Sequence, residues 1–182
     1  MPILLRPAQR PHPPLWYGVH SHESAEWAAK KGMSIVCNEP AADSASYVRR
    51  YRETWKAAQP GTPIGRIGLV RTVVVGDTDA QARDVAERAY AVHNQSFTFL
   101  HRRFGVVPKL SGTDPGFAGH AAGGRAVAGE PARVADYLAR EMAETGSDYC
   151  VMRLAFGDMS RDEMRRSASL FAEKAMPALA KL

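Results

Sequence analysis

The chain is poor in residues that announce a particular chemistry. Only two cysteines occur in its 182 residues, Cys37 and Cys150. Each lies in an apolar run, Ile35-Val36-Cys37 and Tyr149-Cys150-Val151-Met152, so a disulfide framework is excluded and small buried thiols are the simple reading. No C-x-x-C or H-x-x-x-H spacing suggests zinc, and no metal is expected. A P-loop, a G-x-G-x-x-G turn, a Ser-His-Asp set and a paired-carboxylate signature are all missing. No stretch of about 18 apolar residues exists, which argues against a membrane span. Met1–Leu5 is too short for a signal core and is followed by Pro7, Pro11, Pro13 and Pro14, so a cytoplasmic protein is expected. The net charge of +5 does not gather in a stripe. Basic residues alternate with Asp and Glu along helical segments, which argues against a nucleic-acid partner.

What is present is a chain 45% hydrophobic and 24% charged, long enough for one domain over residues 1–182 with a real core. Strand and helix patterns alternate. Leu15–Val19 reads as a strand, His20–Ser24 as a turn, Ala25–Lys31 as a helix stopped by Gly32, and Ser34–Cys37 as a strand. A helix follows over Asp43–Ala58, with Tyr47, Val48, Tyr51 and Trp55 at helical spacing. Ile67–Val75 is a β-branched run, and Asp77 or Thr78 would cap a long helix over Asp79–Arg103. From Gly105 to Gly129 periodicity fails, and residues 105–129 read as an irregular insertion or lid loop. Glu130–Thr145 is amphipathic, with Val134, Tyr137, Leu138 and Met142 inward and Pro131 in its first turn. Tyr149–Leu154 is a strand, and Arg161–Ala180 a last helix opened by a Ser160/Glu163 capping box. Four strands alternating with helices imply an α/β fold with a parallel sheet.

The crossover at His20–Ser24 is the first candidate site. A helix N-terminus carries unpaired N–H groups and the positive end of a dipole, and here two hydroxyls and two imidazoles surround it, a donor set suited to phosphate. Ser21 and Ser24 are equally good N-cap residues. Arg71, inside the β-branched strand, must point into a ligand cavity or pair on the helix side, because a buried charge without a partner is too costly. Arg153 poses the same choice.

The segment His20-Ser21-His22-Glu23-Ser24-Ala25-Glu26-Trp27-Ala28-Ala29-Lys30-Lys31-Gly32, preceded by Arg10-Pro11-His12-Pro13-Pro14, resembles the bacterial luciferase-like flavin monooxygenase family. The resemblance resumes at Gly129-Glu130-Pro131-Ala132-Arg133-Val134, and continues through Phe156-Gly157-Asp158-Met159-Ser160 and Leu170-Phe171 to Met176-Pro177-Ala178-Leu179. Members of the family are (β/α)8 barrels roughly twice as long. The resemblance therefore implies a partial TIM-type barrel, four parallel βα units corresponding to the C-terminal half.

It further implies an FMN-dependent monooxygenase that inserts one oxygen atom of O2 into a small-molecule substrate, with reduced FMN supplied by a partner reductase; a deazaflavin is the alternative cofactor. Ser21 and Ser24 match the hydroxyls that hold the flavin phosphate in the family. The position of His20 carries an acid in the luciferase itself. His20, Ser21, Ser24, Arg71 and Arg153 are the expected cofactor-binding residues, and His120 and Arg125 a substrate clamp on the irregular segment. In the sulfonate-cleaving branch an Arg and a His serve the active site from the strand that here offers Val70 and Thr72, which weakens a sulfonate reading. Trp16 and Tyr17 would stack on a flavin or fill the core. Half a barrel leaves open edges, so a second copy of the chain or a separately encoded N-terminal half is expected to complete it. The alternative is a non-catalytic flavin-binding or structural half-barrel derived from a truncated enzyme.

Overall fold

The computed structural model describes residues 8–10, 12–106 and 116–180. In chain order these form β1 (Trp16–Val19), α1 (His22–Lys30), β2 (Ser34–Cys37), α2 (Ala41–Ala58), β3 (Ile67–Val75), α3 (Asp79–Arg103), α4 (Phe117–Ala122), β4 (Ala126–Gly129), α5 (Pro131–Thr145), β5 (Tyr149–Arg153) and α6 (Arg161–Leu170). A π-helical turn, Phe171–Ala175, then leads into α7 (Met176–Leu179). All strand pairings are parallel. The βα alternation expected from the sequence is present.

Two expectations need correction. Residues 105–129 are not irregular throughout, because α4 and β4 lie inside them; residues 107–115 are outside the described part. The six residues of α4 include Gly119, and Ala-Val-Ala-Gly in β4 has a single β-branched side chain, so neither gives a readable period. The sheet accordingly has five strands rather than four. The last helix is also broken, at the π turn, where Pro177 has no N–H with which to continue an α-type ladder.

β3 is the hub. The carbonyl of Arg66 accepts from Ile35 and the N–H of Thr72 donates to Arg125, whereas the Ile67 carbonyl accepts from Asp148. Even-numbered backbone groups of β3 therefore face β2 and β4, and odd ones face β5. β2 pairs with Ile67–Leu69, and β4 takes over the same edge from Thr72 to Val75. β1 pairs only with β2 and β5 only with β3 among the described residues.

The two faces of this sheet differ sharply. Ile67, Leu69, Val73 and Val75 lie on the covered face, packed by α1 and α2 at one end and by α5, α6 and the π turn at the other. The alanines of α1 (Ala25, Ala28, Ala29) are fully buried there, letting that helix approach closely. The opposite face carries Trp16, Val36, Gly68, Val70, Tyr149 and Val151, by register. Among the described residues only its C-terminal end is covered, where Val74, Ala126 and Ala128 meet α3 and α4. Trp16, Tyr149 and Val151 are 40%, 44% and 39% exposed, and the Trp16 and Tyr149 rings touch at 5.4 Å.

Arg71 is on the covered face and fully buried. Its Nε and Nη2 donate to Glu141 Oε2 of α5 at 3.0 and 2.6 Å, Nη2 also to the Glu39 carbonyl at 3.2 Å, and Nη1 to the Val70 carbonyl at 2.7 Å. Removing one member of such a pair strands a buried charge and typically costs about 3–5 kcal/mol, whereas an apolar pair of similar volume is close to neutral. Glu141→Ala is therefore expected to destabilise the fold by about that amount in equilibrium denaturation. The double change Arg71→Met with Glu141→Leu should recover most of the loss.

Candidate functional site

In sheets of parallel βα units, ligands sit at the C-terminal ends of the strands. Two constellations occupy that end here. The first is the turn after β1. Ser21 has extended φ and ψ of −164° and 167° and caps α1. Its Oγ accepts from the Ser24 N–H at 3.2 Å, and Ser24 Oγ accepts from the N–H groups of His20 and Ser21 at 3.1 and 3.0 Å. The two serines thus form a reciprocal capping box. The carboxyl of Glu23 is held below its usual range by its own backbone N–H and by the Ser21 hydroxyl. Glu23 thus puts a negative charge in the first turn of α1, where an anionic ligand would approach.

His20 lies at the edge of this turn. Its Nδ1 is 2.6 Å from Glu39 Oε1, and its Nε2 is 3.6 Å from where a Cβ on Gly18 would stand. Gly18 belongs to the uncovered face, so the ring leans over that face with one nitrogen free of Glu39. Glu39 is nearly buried and is fixed in turn by the Asn38 N–H. His22 is turned away, toward Ser46 at 2.7 Å and Tyr47 on α2.

The second constellation lies at the C-terminal ends of β3 and β5, where the uncovered face meets α3 and α4. Arg153 shares that face with Thr72, and its Nη1 is 3.4 Å from both Thr72 Oγ1 and His93 Nε2. Thr72 Oγ1 is also 3.4 Å from His120 Nε2. Tyr90 stacks on His120 at 4.7 Å, and its ring also meets Phe117 and Phe156. Arg125 is anchored through its backbone, its N–H to the His120 carbonyl and its carbonyl to the Thr72 N–H. Gly157, at φ +58°, brings the loop after β5 so close to α3 that any Cβ would overlap the Ala89 carbonyl, and this approach seats Phe156 among these rings.

The expected site residues are therefore divided. His20, Ser21 and Ser24 fall together, and His120, Arg125 and Arg153 fall together, while Arg71 is turned to the helix side with its donors engaged, so it cannot reach a ligand on the open face. Glu39, His93 and Thr72 complete the two groups and were not singled out as site residues from the sequence. Trp16 faces the open side, but Tyr17 packs on Trp27 at 4.7 Å on the other face. Burial pushes the thiols of Cys37 and Cys150 up to about 12 and about 11, so both remain protonated and unreactive.

Burial, and then the charges of Arg125 and Arg153, hold His120 down to about 4; His93 is lowered by burial and Arg153. Because the folded pKa lies below the unfolded value of about 6.5, the unfolded chain takes up a proton that folded His120 refuses. Stability should fall as pH drops from about 6.5 to about 4 and flatten below. His120→Gln should reduce that slope in denaturation curves measured across the window.

A family model for luciferase-like monooxygenases matches residues 1–149. An uncharacterized protein, y4wF of Sinorhizobium fredii (strain NBRC 101917 / NGR234), is 32% identical over 169 residues, covering 89% of this chain and 47% of that protein. The crystal structure of monooxygenase RslO1 from Streptomyces bottropensis aligns with a TM-score of 0.77 at 22% identity, over 96% of this chain and 50% of that one. The oxygenating constituent of 3,6-diketocamphane monooxygenase from Pseudomonas putida, in complex with FMN, aligns with a TM-score of 0.71 at 18% identity, over 92% and 49%. The chain spans about half the length of these proteins.

Proposed function

This chain belongs to the luciferase-like monooxygenase family, and from that premise we propose that it is the phosphate-binding half of an FMN-dependent monooxygenase, active when its open face is covered by a complementary half. The observation that carries the reading is the β1–α1 turn. There Ser21, Ser24 and the first N–H groups of α1 form an anion cradle beside His20, whose ring Glu39 holds over the open face. The residues fit a phosphate monoester, provided that Glu23 yields its place. Its side chain is solvent-exposed, so a swing outward meets no packing.

When bound, reduced flavin supplies the electrons that activate O2, one oxygen atom entering the substrate and the other leaving as water. The protein's own residues position and shield. Ser21 and Ser24 fix the phosphate end, and His20, oriented by Glu39, presents Nε2 toward the ligand space. Trp16, Val70, Tyr149 and Val151 form a wall that excludes water once a second half lies against it. That half is a second copy of this chain or a separately encoded N-terminal half. A second reading, a flavin-binding or structural half-barrel without catalysis, is favoured by the engagement of the turn's own donors, the Ser24 N–H on Ser21 Oγ and the His20 and Ser21 N–H groups on Ser24 Oγ.

Titration of the purified chain with oxidised and reduced FMN, and with a 5-deazaflavin, alongside its mass by light scattering, separates these readings. FMN binding to a dimer supports assembly by two copies. FMN binding to a monomer without turnover supports the non-catalytic form, and no binding to any species means that this half lacks a separately encoded partner or has left flavin chemistry. Replacing Ser21 and Ser24 by Ala should weaken FMN binding by about 1–3 kcal/mol, with circular dichroism reporting whether α1 survives loss of its cap. Glu23→Gln should tighten FMN binding, since a neutral side chain competes less for the cradle.

A further inference from the structure

We propose that Arg125, Arg153, His93, His120 and Thr72 form a substrate subsite for an organic acid, taking its carboxylate between the two guanidinium groups. As a substrate pocket the assignment rests on the monooxygenase reading; as a carboxylate site it stands without it.

Charge balance sets these two arginines apart. Eight ion pairs with Arg or Lys tie cations to carboxylates across the described residues, including the buried Arg71–Glu141 pair, and Arg166 meets Asp77 as well. Neither Arg125 nor Arg153 has a carboxylate within that reach among the described residues. Among the described residues the side-chain partners of Arg153 are Thr72 and His93, both at 3.4 Å, a loose hold for a group with five N–H donors. Arg125 Nε is buried without a hydrogen-bond partner among the described residues. Charged donors left unpaired in a partly buried place are costly, and an anion between them removes the cost.

The two histidines sharpen this reading. Both are held below their ordinary pKa by burial and by the neighbouring guanidinium charge. At neutral pH each offers one N–H donor and adds no charge, so the pocket presents two fixed positive charges and several neutral donors. Bidentate capture by a planar guanidinium matches a planar carboxylate.

Aromatic rings border these polar groups. Tyr90 lies flat on His120, and Phe156 and Phe97 flank His93 at 6.1 Å each. An anionic head is therefore bordered by rings suited to an apolar body, which inorganic ions do not have. The place is also distinct from the phosphate cradle. Counting across the sheet from β1 through β2 and β3 to β5 gives three strand spacings, or about 14 Å, so a flavin phosphate at Ser21 and a carboxylate at Arg153 can be held together.

The test is a titration of the full chain with benzoate and, separately, with inorganic phosphate, followed by the imidazole resonances of His93 and His120 in two-dimensional NMR. Benzoate should shift both saturably and raise the His120 midpoint, because an anion offsets the two guanidinium charges. Arg125→Gln and Arg153→Gln should each weaken benzoate about tenfold or more, with Arg153→Lys intermediate. Absence of a saturable shift in the unaltered chain overturns the proposal without reliance on any variant. Phosphate binding as tightly as benzoate overturns the organic-acid assignment, and unchanged benzoate affinity in both glutamine variants overturns the residue assignment. The double change Ser21→Ala and Ser24→Ala separates the two sites: it should lower FMN affinity and leave benzoate binding intact. Benzoate binding by a chain that ignores FMN would keep this subsite independently of the flavin reading.

Discussion

The contact on which most of the structure hangs is the buried pair between Arg71 and Glu141. Among the described residues β3 alone pairs with three other strands, and Arg71 stands at its midpoint. One guanidinium fastens the strand to α5 and reaches the Glu39 carbonyl at the end of β2. The carboxylate of that same Glu39 holds His20. A single buried cation thus fixes the end of the strand that positions the imidazole, linking core stability to site geometry through two hydrogen bonds. The pair repays its desolvation only because nearly every donor finds an oxygen, which makes it a device of position more than of net stability.

The sheet's asymmetry follows from the division of its side chains. On the covered face small and branched residues interlock with alanine-rich helix surfaces. On the other, Trp16 lies over Gly68, and Tyr149 lies beside it. Large rings over a glycine make a smooth apolar floor. In barrels such a floor is interior, and here it is at the surface, with the outer backbone edges of β1 and β5 unpaired among the described residues. This combination of apolar face and unpaired strand edges suits association, which is why the proposed activity belongs to an assembly.

Much of this arrangement was legible in the sequence, and the gaps have physical causes. The bounds of α3 coincide with the sequence reading because Thr78 provides a strong cap and the helix is long. β3 was plain from its β-branched run. β4 was hidden because Ala126–Gly129 has almost no side chain with which to signal a strand. The turn at His20–Ser24 was visible as a local donor set, but its partner Glu39 is 19 residues away and invisible to local spacing. Arg71 posed a choice that its neighbours could not decide. The deciding signal was present, however: Glu141 occupies the inward stripe of α5 with Val134, Leu138 and Thr145, a position that a carboxylate takes only to meet a buried cation. The grouping of His93 with Arg153 depends on contacts between elements 60 residues apart, which no periodicity encodes.

Glu23, in the first turn of α1, gives the β1–α1 turn a property beyond affinity. Because the chain itself places a negative charge there, a phosphate arriving at the turn makes an exchange of one negative group for another. The tethered carboxylate acts as a local competitor at high effective concentration. Association at this turn should thus depend only weakly on ionic strength, since the displaced carboxylate regains its own ion atmosphere as the phosphate gives one up. Selectivity between ligands would then be set by how much better than a single carboxylate each one fills three oxygens' worth of donors, so that monoanions lose the contest and phosphate monoesters win it.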